Sequence, residues 1–187
     1  MILKYVLLIP ALIFFIRFLL QYTDCDYFNP ISKIINNITK YPLRLIGNKT
    51  YQNINVSALI MMLIFAEIFG SIIITIGLNV PLSELFADLN SIVFVFLLNI
   101  IFLLDGIFSL FLILLIISAV LSWIPSCMRY AILFNKLVSP IIKPIDKIIP
   151  PIGMISISFI IAFLLIQFIN NYAIVSLYKL LFNAFAS

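Results

Sequence analysis

The sequence predicts an all-α integral membrane protein of about four transmembrane helices, arranged as two parallel repeats that each carry an amphipathic interfacial segment. Three observations predict it. Of 187 residues, 65% are hydrophobic and only 10% are charged, against about 25% charged in an ordinary soluble domain. The mean hydropathy is +1.28, and the apolar residues come in unbroken runs longer than a soluble core helix needs. Between those runs lie two amphipathic, lysine-bearing segments, FNPISKIINNITKYPLRLI (28–46) and FNKLVSPIIKPIDKIIPPIGMISIS (134–158). Each has apolar runs on both sides. The chain therefore reads as one unit written twice, over 1–80 and 81–187: helix, interfacial segment, helix.

Residues 1–21 form the first span. Lys4 ahead of an apolar run has the look of a secretion signal, but no small-residue cleavage site follows, so the span reads as uncleaved. Pro10 lies mid-span, where a helix in lipid tolerates proline if neighbours satisfy the freed carbonyl. Arg17 is within about one turn of the end and can reach the headgroups. Residues 22–55 are polar and basic. Asn29-Pro30 is a helix start, with asparagine as cap and proline in the first turn. Ile31, Ile34, Ile35, Ile38 and Tyr41 follow at helical spacing, opposite Ser32, Lys33, Asn36, Asn37 and Lys40. A short helix of this kind lies in the interface; the alternative is a solvated loop. The second span is 56–78, with Glu67 near its centre and Gly70-Ser71 just after. A short acidic link, 79–90, carries Pro81, Glu84 and Asp88 and no basic residue.

Residues 91–124 are apolar throughout except for Asp105-Gly106. One helix of this length would be about 50 Å long, against about 30 Å of hydrocarbon, while two spans would need about 20 residues each plus a turn. A single long helix, tilted or projecting, is favoured, with its hydrocarbon-buried part nearer 107–121. That part contains twelve Leu, Ile, Phe or Val residues. At about −0.3 to −0.6 kcal/mol each, they outweigh one central Asp at about +3. Trp123 suits the interfacial aromatic belt, and Pro125 stops the helix. Over 136–149, Leu137, Val138, Ile141, Ile142, Ile145, Ile148 and Ile149 oppose Lys136, Ser139, Lys143, Asp146 and Lys147. Pro140 can start a helix, whereas Pro144 costs a backbone hydrogen bond inside it. A kinked interfacial helix ended by Pro150-Pro151 is expected. Gly153 then turns the chain into the last span, 154–177, and a short tail follows.

Charge sets the expected orientation. The first basic loop with the adjacent span end holds Arg17, Lys33, Lys40, Arg44 and Lys49; the second holds Arg129, Lys136, Lys143 and Lys147. These are nine of the eleven basic residues, Lys4 and Lys179 being the others. With four spans the two basic loops share a side, and the positive-inside rule makes it the cytoplasm. Both termini and the acidic link then face out. A five-span hairpin over 91–124 would split the two basic segments across the membrane, which the charge count opposes. Cys25 and Cys127 lie inside on this topology, as reduced thiols. Basic residues gathered in short loops between apolar spans point to topology, not to nucleic acid.

No histidine is present, which removes the commonest general base and metal ligand. The two cysteines form no metal-spaced pair. Ser122, Ser126 and Ser139 lack a histidine partner, and no paired carboxylates sit at an interface. No catalytic, metal or cofactor-binding site is therefore expected, and the chain reads as a non-enzyme. Glu67 and Asp105 are the intramembrane ionisable residues, functional by default because burying them is costly. Ser71, Thr75, Asn99 and Ser109 would complete a polar path for an ion or proton. The opposing interpretation is polar contact between packed helices, or for Asp105 a place near the outer interface. One carboxylate per helix, with no broken-helix glycine pattern, favours the structural interpretation. Lys33, Lys40, Arg44, Lys136, Lys143 and Lys147 are the candidate lipid or partner contacts, at about 1 kcal/mol each against anionic headgroups near the surface.

The order and spacing of these residues resemble the YggT (YlmG) family of small bacterial membrane proteins with plastid relatives. The resemblance covers nearly the whole chain as two copies of the family repeat. In the second copy it rests on Ser122-Trp123, Pro140, Pro144, Pro150-Pro151, Gly153, and Ser158 in the position of the family's serine. In the first it rests on Arg17, Gln21, Asn29-Pro30, Thr39 and Pro42-Leu43-Arg44. There are departures: Asp146-Lys147 stands where the family usually has an arginine pair, Ser156 where it has an acidic residue, and Gly47 near the missing proline that closes the first copy. The resemblance implies an inner-membrane or thylakoid protein without established enzymatic activity. It implies an association with envelope or osmotic stress and, in plastids, with membrane-protein cofactor assembly and nucleoid distribution. The expected role is a scaffold, assembly or stress factor of the bacterial inner membrane. Its expected partners are membrane lipids and other membrane proteins, with no nucleic acid. The alternative is a small channel or transporter component using Glu67 and Asp105.

Overall fold

The length of each apolar run decides the architecture. In a computed structural model the structure describes residues 2–25, 29–47, 49–51, 54–79, 81–149 and 157–185. Helix α1 spans Ile2–Tyr22, α2 Pro30–Ile46, α3 Val56–Leu78, α4 Leu82–Leu85, α5 Leu89–Ser122 and α6 Met128–Ile148. Helix α7, Ile157–Phe168, runs through a π-helical turn, Ile169–Ile174, into α8, Val175–Phe185. Among the described residues four helices are long and apolar enough to cross a membrane: Lys4–Tyr22, Val56–Gly77, Leu89–Ser122 and Ile157–Phe185. The fold is that of an all-α membrane protein. Among the described residues it adds a pair of two-residue strands, β1 Thr50–Tyr51 and β2 Ile54–Asn55, antiparallel with Thr50 opposite Asn55. Nothing in the apolar pattern announced that pair.

Residues 91–122 fall in one helix, α5, which from Leu89 to Ser122 has 34 residues, about 51 Å at 1.5 Å per residue. Asp105-Gly106 does not break it. Gly106 faces α1, where an added Cβ would meet Leu8 and Leu12 at 3.5 Å, an ordinary packing distance. Burial along α5 runs from Val95 to Ser118, over both halves and not only the second. The first half is covered because the last helix does not stop near residue 177. It continues to Phe185, and Leu181 joins Ile74, Leu85, Val95, Leu98, Ile101 and Ile174 in a second buried cluster. Phe94 meets Phe182 and Phe185 there at centroid distances of 5.4 and 5.2 Å. The larger cluster joins α1, α2, α3, α5, α6 and α7, with Phe14, Phe15, Phe111 and Leu137 among its members.

Both amphipathic helices lie at the same end of the bundle. That end holds the last turn of α1 and the start of α3, which Asn55 joins by donating to Gln21 Oε1 at 2.9 Å. Lys136 of α6 reaches the same end, donating to the Asp24 carbonyl at 3.0 Å. The opposite end gathers α4, the starts of α1 and α5, and α8.

Helix α2 begins as its sequence dictates: the Asn29 side chain accepts from the Ile31 amide at 3.0 Å, and Pro30 occupies the first turn. It ends at Gly47, whose φ of +81° a side chain would strain. Its surface divides into three sectors. Ser32, Thr39 and Leu43 face the protein; Ile34, Ile38, Tyr41 and Leu45 are exposed; Lys33, Asn37, Lys40 and Arg44 are exposed on the remaining side. The expected apolar face is thus shared between protein contact and open surface. In α6, the buried Ala131, Val138 and Ile142 lie across the helix from Arg129, Lys136, Lys143 and Lys147, with the buried Leu133 and Leu137 on the flank between them. At about 100° per residue, those four basic residues fall within about 40° of one another. Helix α6 starts earlier than expected. A three-ten turn, Pro125–Cys127, leads into it, so Pro140 lies inside the helix alongside Pro144 and does not start it. The expected stop at Pro150-Pro151 and the turn at Gly153 lie outside the described residues.

Candidate functional site

Apolar side chains give helices little reason to prefer one neighbour over another in lipid; polar contacts and close packing decide it. Helix α5 carries a polar residue toward each of its long neighbours. Asn99, fully buried, lies within donating distance of Glu67 Oε2 (2.9 Å), the Glu67 carbonyl (3.3 Å) and Ser71 Oγ (3.4 Å) on α3. Gly70 makes room for it, since a Cβ there would fall 2.6 Å from Asn99 Cγ and 3.2 Å from its Cβ. Asp105 forms an ion pair with Lys4 of α1, and Lys4 also donates to the Tyr178 hydroxyl of α8 at 3.1 Å. The Lys4 ammonium sits 4.7 Å from the centroid of the Phe102 ring and 5.4 Å from that of Tyr178. The two charged side chains are only 19% and 12% exposed. Further along α5, Ser109 accepts from Asn170 of the π-helical turn at 3.2 Å, and Ser118 donates to Asn135 of α6.

Glu67 and Asp105 therefore belong to separate contacts on different neighbours. Of the residues expected to link them, Asn99 and Ser71 stay with Glu67, and none reaches Asp105 among the hydrogen bonds of the described residues. Ser71 and Thr75 donate to carbonyls of their own helix at 2.8 and 3.0 Å, and Ser109 is held by Asn170. Sequence reasoning counted Lys4 as a topology charge and missed its partner. Its place at the first turn of an apolar helix, with a lone aspartate elsewhere in apolar sequence, was the available signal.

The residues that carried the family resemblance do not converge on one point. Gln21 ties α1 to Asn55, and the Asn55 side chain also caps α3 by accepting from the Ala58 amide at 2.9 Å. Asn29 and Pro30 start α2, and the buried Thr39 donates to the Ile35 carbonyl at 2.7 Å. Ser122 donates to the Ala119 carbonyl at 2.6 Å, and Trp123 is exposed where α5 ends. Ser158, fully buried, donates to the Ile149 carbonyl at 3.4 Å and so pins the end of α6 to the start of α7. Pro150 and Gly153 lie outside the described residues.

The basic residues do gather. Arg17, Asn36, Asn37, Lys40, Leu43, Arg44 and Gly47 line an open cavity of about 520 Å³ between α1 and α2. A smaller one of about 120 Å³ is lined by Asn29, Arg129, Ile132, Leu133 and Lys136. Lys143 and Lys147 are exposed on the outer stripe of α6. Cys25, buried beside Thr23, has its thiol pushed up from the ordinary range by burial. The Thr23 hydrogen bond and the Lys136 charge oppose that rise, and Asp24 adds to it.

The family model described as CCB3/YggT matches residues 97–177. An uncharacterized protein of Haemophilus influenzae is 32% identical over 169 residues, covering 87% of this chain and 83% of the relative. A Vibrio alginolyticus protein, described as an uncharacterized protein in proC 3'region, is 32% identical over 161 residues, covering 83% of this chain and 82% of the relative. No solved structure matches the chain.

Proposed function

The chain belongs to the CCB3/YggT family, and from that premise we propose a non-enzymatic, multi-pass scaffold or assembly factor of the bacterial inner membrane, serving the envelope under osmotic stress. Its two halves, 1–80 and 81–187, are copies of one helix–amphipathic helix–helix unit in parallel orientation. Both basic helices face the cytoplasm, and both termini face out. The observation that carries the reading is that α2 and α6 sit at the same end of the bundle, each packed on the core with its lysines and arginines turned outward. Such stripes attract anionic inner-leaflet lipid or an acidic partner surface. The two intramembrane carboxylates, by contrast, are spent on helix–helix contacts, which speaks against a transport path through them.

Complementation of a deletion strain under osmotic shock tests this. Lys143→Gln with Lys147→Gln impairs rescue. Glu67→Gln leaves it intact, as does the pair Lys4→Met with Asp105→Asn, which removes both charges of the buried ion pair together. A transporter component gives the reverse pattern, with ion or solute flux in liposomes that depends on Glu67 and Asp105.

A further inference from the structure

Two open spaces lie against consecutive stretches of α1, one apolar and one polar. Tyr5, Val6, Ile9, Leu12, Ile13 and Ile16 of α1 face Gly106, Ser109, Leu110 and Ile113 of α5 across an open, almost wholly apolar space of about 450 Å³. The groove ends at Ile16, and the next residue, Arg17, lines the cavity shared with Lys40 and Arg44 of α2. On α1, Arg17 lies one turn beyond Ile13, on the same stripe. Tyr5 to Ile16 spans about 16 Å of helix, close to half of the roughly 30 Å hydrocarbon layer, which is the depth one acyl chain occupies.

We propose that these two spaces form one seat for an anionic phospholipid of the cytoplasmic leaflet. The headgroup phosphate lies among Arg17, Lys40 and Arg44, and one acyl chain lies in the α1–α5 groove. The inference rests on the cytoplasmic orientation proposed above. Charge complementarity selects the head, because three cationic side chains from two helices meet in one cavity. Guanidinium groups suit phosphate oxygens in particular, since their fork of donors matches that geometry. Groove length and apolarity select the tail. Gly106 is among the residues lining the groove and contributes no side chain to it.

The test is native mass spectrometry of the purified full-length chain, offered phosphatidylglycerol or phosphatidylcholine of identical acyl composition. The expected result is one phosphatidylglycerol retained per chain, in preference to phosphatidylcholine, and not displaced by inorganic phosphate. Lys40→Gln with Arg44→Gln reduces that preference about 25-fold, at about fivefold per charge. Ile13→Trp, which fills the groove without touching charge, lowers retention of both lipids and leaves their ratio unchanged. Lys143→Gln with Lys147→Gln, on the outer stripe of α6, lowers the preference by less than the α2 pair does; the seat stands on that difference whether or not the same pair impairs complementation. Circular dichroism confirms that each variant keeps its helices. The proposal is overturned if the α6 pair lowers the preference as much as the α2 pair, since binding is then diffuse charge attraction. It is overturned equally if Ile13→Trp leaves retention unchanged, or if inorganic phosphate displaces the lipid.

Discussion

Replacing Gly70 by alanine tests how α3 and α5 are joined. Alanine is the better helix former by about 1 kcal/mol, so a glycine with no packing role would gain stability. Here the added Cβ would lie 2.6 Å from Asn99 Cγ and 3.2 Å from Asn99 Cβ. Turning the amide end alone does not relieve that overlap, and Asn99 is fully buried, so the whole side chain must move. The move breaks its contacts with Glu67, worth about 0.6–1.7 kcal/mol between helices in lipid, and overpacking adds about 1–3 kcal/mol. Set against the helix gain, the net loss is about 2 kcal/mol. A double-mutant cycle isolates the cause. Asn99→Ala removes the hydrogen bonds and the Cγ overlap, leaving only the 3.2 Å approach of the Cβ, so Gly70→Ala becomes much less costly in that background. Reversible unfolding in mixed detergent micelles measures all four corners. If the two substitutions add to within about 0.5 kcal/mol, Gly70 does not make room for Asn99 and the reasoning fails.

Two further outcomes follow from the same geometry. Asp105→Asn alone strands the Lys4 ammonium in a poorly hydrated site and costs about 3 kcal/mol, whereas Lys4→Met with Asp105→Leu restores most of it; the same unfolding assay reads both, and equal losses in the two variants would contradict the pairing. Cys25 is buried and its thiol is raised by burial, while Cys127 is partly exposed. A raised pKa leaves less thiolate at neutral pH, so iodoacetamide modifies Cys127 first, and Cys25 reacts only as pH climbs above the ordinary thiol range. Equal rates at pH 7.5, read by mass spectrometry, would refute the buried position of Cys25.

Much of the framework was legible because lipid imposes length and polarity on individual segments. Apolar run lengths announced α1, α3 and α5, and Asn29-Pro30 announced the start of α2. Periodicity reported that α2 is amphipathic. It did not distinguish side chains facing protein from those facing open surface, because helical spacing records hydrophobicity and not the identity of the neighbour. Hence Ile34 and Ile38 are exposed while Ser32 and Thr39 are buried. The Lys4–Asp105 pair spans 101 residues of sequence, and no local pattern carries such a partner. Gly70 and Asn99 were each visible, but their fit depends on how α3 lies against α5. The end of the last helix was misjudged because Tyr178 and Lys179 dilute its hydropathy, and their polar ends looked like tail. In the structure Tyr178 instead receives a hydrogen bond from Lys4.

The proposed cytoplasmic placement of α2 and α6, at one end of the bundle, can be tested directly by labelling intact cells with a membrane-impermeant maleimide. In a background without Cys25 and Cys127, single cysteines replace Lys40, Lys143 and Ser83, all exposed positions. The account predicts that residue 83 reacts from outside, and that residues 40 and 143 react only once the cells are permeabilised. Labelling of 40 and 143 on opposite sides of the membrane, or of both from outside, would contradict it.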